Sequence, residues 1–217
     1  MCGRYEILPD AKAWWDAAVI INEILQNELF LATPHPDAVP SQALPIIRAD
    51  SGSLLLTTQK WGFLPHDCPD PKYRHHNARA DKLTSTDYYR ESWERRRCLV
   101  PATAFFEWRG TRSYQIRYRY HRPIPAGFFM GGIFDQAGDG SEDGFAIIIT
   151  EPNNLIRPHH WCMPLIIPAP AALAWLQDEN EAAKMLAPCV DDFLIETKIV
   201  PPVNEAGRGA PDLFSGF

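Results

Sequence analysis

The sequence predicts an α+β fold with a mostly antiparallel, curved or barrel-like β core and flanking helices. Short apolar and aromatic runs recur along the chain and are separated by turn signals, which is the pattern of strands joined in hairpins. Only three segments have a helical pattern, and they do not alternate with the strands as a doubly wound parallel sheet would require. No repeat or linker divides the 217 residues, so we expect a single domain over residues 1–217.

Seven runs are predicted as strands. Two of them, residues 44–50 and 53–63, flank a turn at residues 50–52 and should form a hairpin. The others are "CLVPATAFFEW" (98–108), "SYQIRYRY" (113–120), "GFFMGGIF" (127–134), "GFAIIIT" (144–150) and "FLIETKIV" (193–200). The proline-rich stretch "TPHPDAVPSQALP" (33–45) is predicted as a loop that leads into the hairpin.

Three segments are predicted as helices. Asp10–Leu31 lacks proline and glycine and has apolar residues at helical spacing. Ser85–Arg95 begins with Ser85 and Thr86, either of which could cap a helix. Pro170–Leu176 begins with a proline, which suits the first turn of a helix.

Composition restricts the function classes. No run of about 20 apolar residues and no basic leader with an apolar stretch is present, so we expect a soluble cytoplasmic protein with no membrane partner. The five cysteines are scattered without a C-x-x-C pair, which favours free thiols over disulfides or a structural zinc site. We expect no metal and no cofactor.

The charge is unevenly distributed. The formal net charge is -6, but residues 74–122 contain twelve Lys or Arg against five acids, a net +7. An anionic strand responds to local rather than total charge, so this segment could line a nucleic-acid groove. The alternative is a solvated face in which the arginines form ion pairs.

The opening "MCGRY" is the first candidate for chemistry. Removal of Met1 would leave Cys2 as the N-terminus, with an amine and a thiol on adjacent carbons. Gly3 would allow a partner to approach closely, and Arg4 would supply a cation. The alternative is that a terminal cysteine is there by chance, because chain ends tolerate change.

Two further motifs follow. In "WGFLP" (61–65), Trp61 and Phe63 alternate, which predicts one ring in the core and the other exposed. "NARAD" (77–81) is predicted as a polar loop whose Asn77 and Arg79 face a ligand such as phosphate. An ion pair between Arg79 and Asp81 is the alternative.

The last two motifs contain acid and base candidates. Glu107 ends an apolar run, so partial burial could raise its pKa towards neutrality. Pairing of Glu107 with a nearby arginine is the alternative. In "PHHWCMPLII", His159 and His160 precede an apolar strand, and one of them could act as acid or base while the other is structural.

These motifs, in order, resemble the SRAP family, the SOS-response-associated peptidases. The resemblance runs from Met1 to about Asn204 and rests on "MCGR", "WG", "NAR", "P-x-x-x-F-x-E-W" and a His three residues before "MP". It implies the family fold and a sensor that forms a covalent crosslink with abasic sites in single-stranded DNA. A monomer is expected.

The resemblance also implies roles for individual residues. Cys2 would form the crosslink, and Asn77, Glu107 and His160 would complete the catalytic set. The residues expected to touch DNA are Arg4, Pro40, Trp61, Arg79, Trp108 and Thr150.

The chain departs from the family pattern at two positions. Asp37 stands where the family usually has Asn, and Cys162 stands where it usually has Arg. A carboxylate at position 37 would repel phosphate, and a thiol at position 162 removes a cation. We therefore expect both changes to weaken contacts with DNA.

The implied chemistry joins the Cys2 amine to the aldehyde of a ring-opened abasic sugar as a Schiff base, after which the thiol closes a thiazolidine. Two alternatives remain. Cys2 could be the nucleophile of an N-terminal-nucleophile peptidase, or the chain could be a binding module that recognises modified DNA without a covalent bond.

Overall fold

The computed structural model describes residues 2–8, 34–50, 53–65, 68, 70–111, 114–124, 126–135 and 143–199. The predicted helix Asp10–Leu31, the turn residues 51–52 and the C-terminal tail lie outside these ranges. The strands are β1 (Tyr5–Ile7), β2 (His35–Ala38), β3 (Ala43–Asp50), β4 (Ser53–Trp61), β5 (Asn77–Arg79), β6 (Arg97–Ala102), β7 (Ala104–Thr111), β8 (Tyr114–His121), β9 (Phe128–Asp135), β10 (Gly144–Thr150), β11 (Met163–Pro164), β12 (Ile166–Ile167) and β13 (Ile195–Ile199). The α-helices are α1 (Asp87–Arg95), α2 (Ala172–Gln177) and α3 (Glu179–Lys184), and short 3₁₀ turns occupy Pro71–Tyr73, Ala80–Lys82, Ala169–Ala171 and Asp191–Phe193.

The described strands form two sheets, and this confirms the predicted fold class. The smaller sheet has the order β13-β8-β7-β1-β2 and is antiparallel throughout. The larger sheet has the order β11-β10-β4-β3-β6-β9-β12, and β10 also pairs with β9 and, in parallel, with β5. The extra pairings of β10 curve the larger sheet around a core of aromatic and aliphatic side chains.

The two sheets meet at Thr103. The run predicted as one strand over 98–108 is two strands, β6 in the larger sheet and β7 in the smaller, with a bend at Thr103 between them. The Thr103 backbone N–H donates to the Glu6 carbonyl at 2.7 Å, and its hydroxyl oxygen lies 2.9 Å from the Glu6 carboxylate. Periodicity could not locate this bend because the residues on either side of it, 97–102 and 104–107, are all buried.

The structure confirms several predicted elements and corrects others. The hairpin of β3 and β4 has the expected register, with Asp50 opposite Ser53, and β10 has the predicted bounds. The predicted loop 33–45 instead contains β2, which pairs with β1. The predicted polar loop at residues 77–81 is also wrong in part, because β5 pairs in parallel with β10 and so satisfies its backbone.

The predicted helices at 85–95 and 170–176 are present, with small shifts in bounds. Thr86 is at the N-cap position of α1, but its hydroxyl donates back to the Lys82 carbonyl rather than capping the helix. Pro170 lies in a 3₁₀ turn, and the α-helix begins two residues later.

A close backbone crossing fixes β10 against the end of β4. A Cβ atom built on Gly144 would lie 2.3 Å from the Gly62 carbonyl oxygen, which is too close for any side chain. A Cβ atom on Gly62 would meet nothing nearer than an Arg74 side-chain carbon at 3.6 Å. Only glycine therefore fits at position 144, whereas position 62 has room.

Gly144→Ala should lower the free energy of unfolding by about 2 kcal/mol, because the added methyl group forces the two backbones apart. Gly62→Ala is the matched control and should change stability by much less. Urea unfolding followed by circular dichroism measures both variants. Equal losses in the two variants would contradict the close-approach explanation.

Candidate active site

The N-terminal segment continues the ladder of the smaller sheet and so has a defined position. Tyr5 pairs with Phe105, and the Phe106 N–H donates to the Arg4 carbonyl at 3.0 Å. Extending this antiparallel register by one residue places Gly3 beside Glu107. Cys2 is fully buried, and burial raises the pKa of its thiol well above the ordinary value, with a further increase when Glu107 is ionised.

Asn77 holds residue 2 from the other sheet. Its side-chain Nδ2 donates to the Cys2 carbonyl at 2.9 Å. Asn77 is the first residue of β5 and pairs with Ile147 of the central strand β10. The amide is therefore fixed by a rigid strand, which is how a positioning group is held accurately.

Glu107 and His160 approach each other across the same region. Glu107 Oε2 and His160 Nε2 are 3.6 Å apart, which is longer than a hydrogen bond. Burial raises the pKa of Glu107 to about 8 and lowers the pKa of His160 below 6.5. Near pH 7 both groups are therefore uncharged, and a protonated carboxyl group faces an imidazole, as in a pair that transfers protons.

Two polar atoms at this place are buried without a hydrogen-bond partner among the described residues. They are Asn77 Oδ1 and Glu107 Oε1. Both acceptors are therefore available to a ligand or a water molecule at this place. Both atoms belong to residues that sequence reasoning selected.

Cys162 is a further member of the cluster. Its Sγ is 3.4 Å from His160 Nδ1, and the same ring nitrogen is 3.0 Å from the Cys162 carbonyl oxygen. If Nδ1 carries the proton and donates to that carbonyl, Nε2 is left as an acceptor towards Glu107. The Cys162 backbone N–H also lies 3.3 Å from His160 Nδ1, so Cys162 contacts the imidazole through three of its atoms, but its thiol does not supply the positive charge of an arginine.

A cleft of about 580 Å³ opens beside the cluster. Its walls include Arg79, Thr150, Trp161 and Cys162. Arg79 makes the ion pair with Asp81 that was the alternative interpretation, with Nε to Oδ1 at 2.8 Å, yet more than half of its side chain is exposed. Thr150 is buried at the end of β10, and its hydroxyl donates to the Glu151 carbonyl.

Trp161 was not selected from the sequence. Its side chain is 56% exposed, which is unusual for tryptophan, and its ring lies 5.6 Å from the His160 ring. Its position between His160 and Cys162 was the one sequence feature that could have indicated a role in the site. The sequence does not, however, distinguish an exposed tryptophan ring from a buried one.

Trp61 is a core residue, and this corrects its assignment as a DNA contact. Both Trp61 and Phe63 are fully buried, so the expected alternation is wrong. The Trp61 indole N–H donates to the His76 carbonyl at 2.7 Å, and its backbone carbonyl accepts from Ser41. Trp61 therefore supports the turn at Pro40, which is half-buried, and the start of β5.

Arg4 and Trp108 lie on the opposite face of the smaller sheet from the Glu107 carboxyl group. Trp108 is half-buried and adjoins Glu107 in β7, so the two side chains alternate across the strand. Arg4 forms an ion pair with Asp37. A DNA strand that contacted both Glu107 and Trp108 would therefore have to reach both faces of this sheet.

The basic segment 74–122 does not form one uninterrupted positive surface. Arg97 is buried and donates to the Trp175 and Trp93 carbonyls, each at 2.7 Å. Arg96 and Arg119 pair with carboxylates. The ion-pair interpretation therefore accounts for much of this charge.

Comparison with known proteins identifies the family of this chain. A family model described as SOS response associated peptidase (SRAP) matches residues 1–206. The chain belongs to the SRAP family. The resemblance drawn from the sequence motifs is thus confirmed over nearly the whole chain.

Curated SRAP relatives are named abasic site processing proteins. YoaM of Bacillus subtilis is 28% identical over 197 residues, covering 86% of this chain and 83% of the relative. HMCES of Xenopus tropicalis is 27% identical, covering 78% of this chain and 59% of the relative. A crystal structure of a Bacteroides thetaiotaomicron protein has a TM-score of 0.75 and 25% identity, covering 90% of this chain and 92% of that one.

Two absences hold within the described residues. They contain no helix long and apolar enough to cross a membrane. They also contain no group of three side chains that could together ligate a metal ion.

Glu107→Gln should flatten the pH dependence of stability between about pH 4.5 and 8. Because burial raises the pKa from 4.5 to about 8, the folded chain keeps a proton that the unfolded chain loses. The contribution of this group is complete at low pH and falls as pH rises, by at most about 1.4 kcal/mol per pH unit. Urea unfolding of both proteins across this range measures the difference, and parallel curves would contradict the raised pKa.

Proposed function

We propose that this protein processes abasic sites in single-stranded DNA by forming a covalent thiazolidine crosslink through Cys2 after removal of Met1. The observation that carries the proposal is the convergence of Cys2, Asn77, Glu107 and His160 from four separated segments. The Asn77 contact to the Cys2 carbonyl and the approach of His160 to Glu107 are its geometric core. The names of the SRAP relatives support the same substrate class.

The first step joins the Cys2 amine to the abasic sugar. An abasic deoxyribose in its ring-opened form has an aldehyde at C1'. The amine, with an ordinary pKa of about 8, is partly unprotonated at neutral pH and attacks this carbon. One amine proton passes to the carbonyl oxygen and the protonated Glu107 carboxyl group donates a second, so that water leaves and a protonated Schiff base remains.

The second step closes the ring. The Cys2 sulfur attacks the same carbon, the C=N electron pair moves to nitrogen, and the thiol proton passes to Glu107 or His160. The ring closes within one residue, so the effective concentration of the thiol is very high, of the order of 10⁵ M for well-oriented groups. This closure explains why the product would outlast an ordinary Schiff base.

Asn77 and the cleft have supporting roles. The Asn77 amide fixes the backbone of residue 2, and its free Oδ1 can accept from the new amine or a sugar hydroxyl. An abasic site in a single strand has no base to unstack, so entry costs little. Arg79, Thr150 and Trp161 in the cleft wall would bind the flanking strand.

Cys2→Ala should abolish a heat-stable adduct between the Met1-processed protein and abasic single-stranded DNA, because both the thiazolidine sulfur and its ring are lost. Denaturing gel electrophoresis measures the adduct. Cys68→Ala is the matched control, because it removes another free thiol outside the cluster and should leave the yield unchanged.

The alternatives predict other outcomes of the same assay. A reversible DNA-binding module would give no adduct in any variant and salt-sensitive binding that survives Cys2→Ala. An N-terminal-nucleophile peptidase would show Cys2-dependent cleavage of a peptide library. An adduct that persists in Cys2→Ala would overturn the proposed chemistry.

Trp161→Ala should weaken binding of single-stranded DNA by about 1 to 3 kcal/mol, because an exposed ring beside the cleft can stack on a base. Tyr73→Ala is the control, since Tyr73 is similarly exposed but does not line the cleft. Fluorescence anisotropy with an undamaged oligonucleotide measures both variants. Equal affinities for Trp161→Ala and the parent protein would remove the stacking role.

A further inference from the structure

Asp37 receives two arginines on the outer face of the smaller sheet. Its Oδ2 accepts from Arg4 Nη1, and its Oδ1 accepts from Arg117 Nη2 at 2.6 Å. All three side chains are partly exposed, with 41% of Asp37, 31% of Arg4 and 27% of Arg117 accessible. The two guanidinium groups thus converge on one carboxylate at the surface.

Arg117 is held in place by more than this ion pair. Its guanidinium carbon lies 3.6 Å from the centre of the Phe106 ring and 5.3 Å from that of Trp108. The side chain therefore lies across β7, which separates its own strand β8 from β1. Its Nε is buried without a hydrogen-bond partner among the described residues, so one donor of the group is still unused.

The chemistry of this arrangement fits a phosphodiester. A phosphodiester carries one negative charge on two non-bridging oxygens, as a carboxylate does on its two oxygens, and arginine binds both. Exposed ion pairs contribute little to stability, so a competing anion can displace the carboxylate. A guanidinium group already oriented by stacking loses little freedom when the anion is exchanged.

We propose that Asp37 occupies a phosphate site formed by Arg4 and Arg117, and that a backbone phosphodiester of the bound strand displaces it. This inference rests on the proposed function, which it deepens by assigning Arg117 and Asp37 to DNA binding. Only Gly3 lies between Arg4 and Cys2, so their Cα atoms are at most about 7 Å apart. The phosphate is therefore assigned to a linkage next to the abasic nucleotide.

Asp37 then limits the affinity of the site. The displaced carboxylate remains near the phosphate and repels it, so the pair of arginines acts with a net charge of one. Removing the carboxylate leaves two cations for the phosphate. Affinity and its salt dependence should both increase.

Asp37→Asn should tighten binding by about three- to tenfold at low salt and steepen the slope of log K against log salt by about one. The probe is a single-stranded oligonucleotide containing a tetrahydrofuran abasic analogue, which lacks the aldehyde and cannot crosslink. Fluorescence anisotropy between about 50 and 200 mM salt measures the affinity. Asp87→Asn is the matched control, because Asp87 pairs with Arg90 on α1 and its removal changes the net charge equally.

Arg117→Gln tests the partner. This variant should bind the oligonucleotide more weakly than the parent protein. Adding Asp37→Asn to it should increase the affinity less than in the parent protein, because only Arg4 is then released from its ion pair with Asp37. An Asp37→Asn effect that equals that of Asp87→Asn would overturn the inference. So would an undiminished gain in the Arg117→Gln background.

A neutral linkage distinguishes the strand from free phosphate as the source of the anion. One methylphosphonate placed beside the abasic analogue should abolish the gain from Asp37→Asn if that phosphodiester occupies the site. A gain that survives methylphosphonates on both sides would overturn the assignment to the strand. The adduct assay with the parent protein is separate, so loss of crosslinking and loss of the Asp37 effect report on different claims.

Discussion

The candidate site depends on the incorporation of the N-terminal residues into a β ladder. The hydrogen bond from the Phe106 N–H to the Arg4 carbonyl continues the pairing of β1 with β7. Two residues earlier in the chain, the Cys2 carbonyl accepts a hydrogen bond from the Asn77 side chain. Chain ends are ordinarily frayed. Here the end is held between the two sheets, so residue 2 has a fixed direction relative to Glu107 and His160. Without that pairing Cys2 would have no defined position beside Glu107 and His160.

Burial gives the same cluster its chemical state. Desolvation disfavours the charged forms of Glu107, His160 and Cys2 alike, so the site near neutral pH contains groups that hold or accept protons rather than a set of ion pairs. A neutral carboxyl group can donate to a leaving oxygen, and its carboxylate can then accept from a thiol. The charged residues that could steer DNA lie outside this region, in the cleft wall and on the opposite face of the smaller sheet.

Local pattern was sufficient where turn residues bound a buried run and insufficient where partners are distant. The apolar run of β10 gave correct bounds because turn-forming residues precede it and Glu151 and Pro152 follow it. The strand at Asn77 was missed because its polar sequence is stabilised by parallel pairing with β10, 70 residues away, which no local window contains. Trp61 and Phe63 were misjudged because residues two apart in an extended segment point to the same face, and here that face is buried. The family resemblance selected the four clustered residues, but Arg117 had no signal, since its partner Asp37 is 80 residues distant.

The bend at Thr103 has a consequence for how the protein folds. It connects a strand of each sheet, and it also binds Glu6 through backbone and side chain, a contact spanning 97 residues. Contacts of such long sequence separation form slowly, because a large loop must close before they contribute. The pairing of β1 with β7 cannot form until the middle of the chain has been synthesised and has docked. A nascent or partly folded chain would therefore lack the cluster of Cys2, Asn77, Glu107 and His160, which would form only with the complete fold.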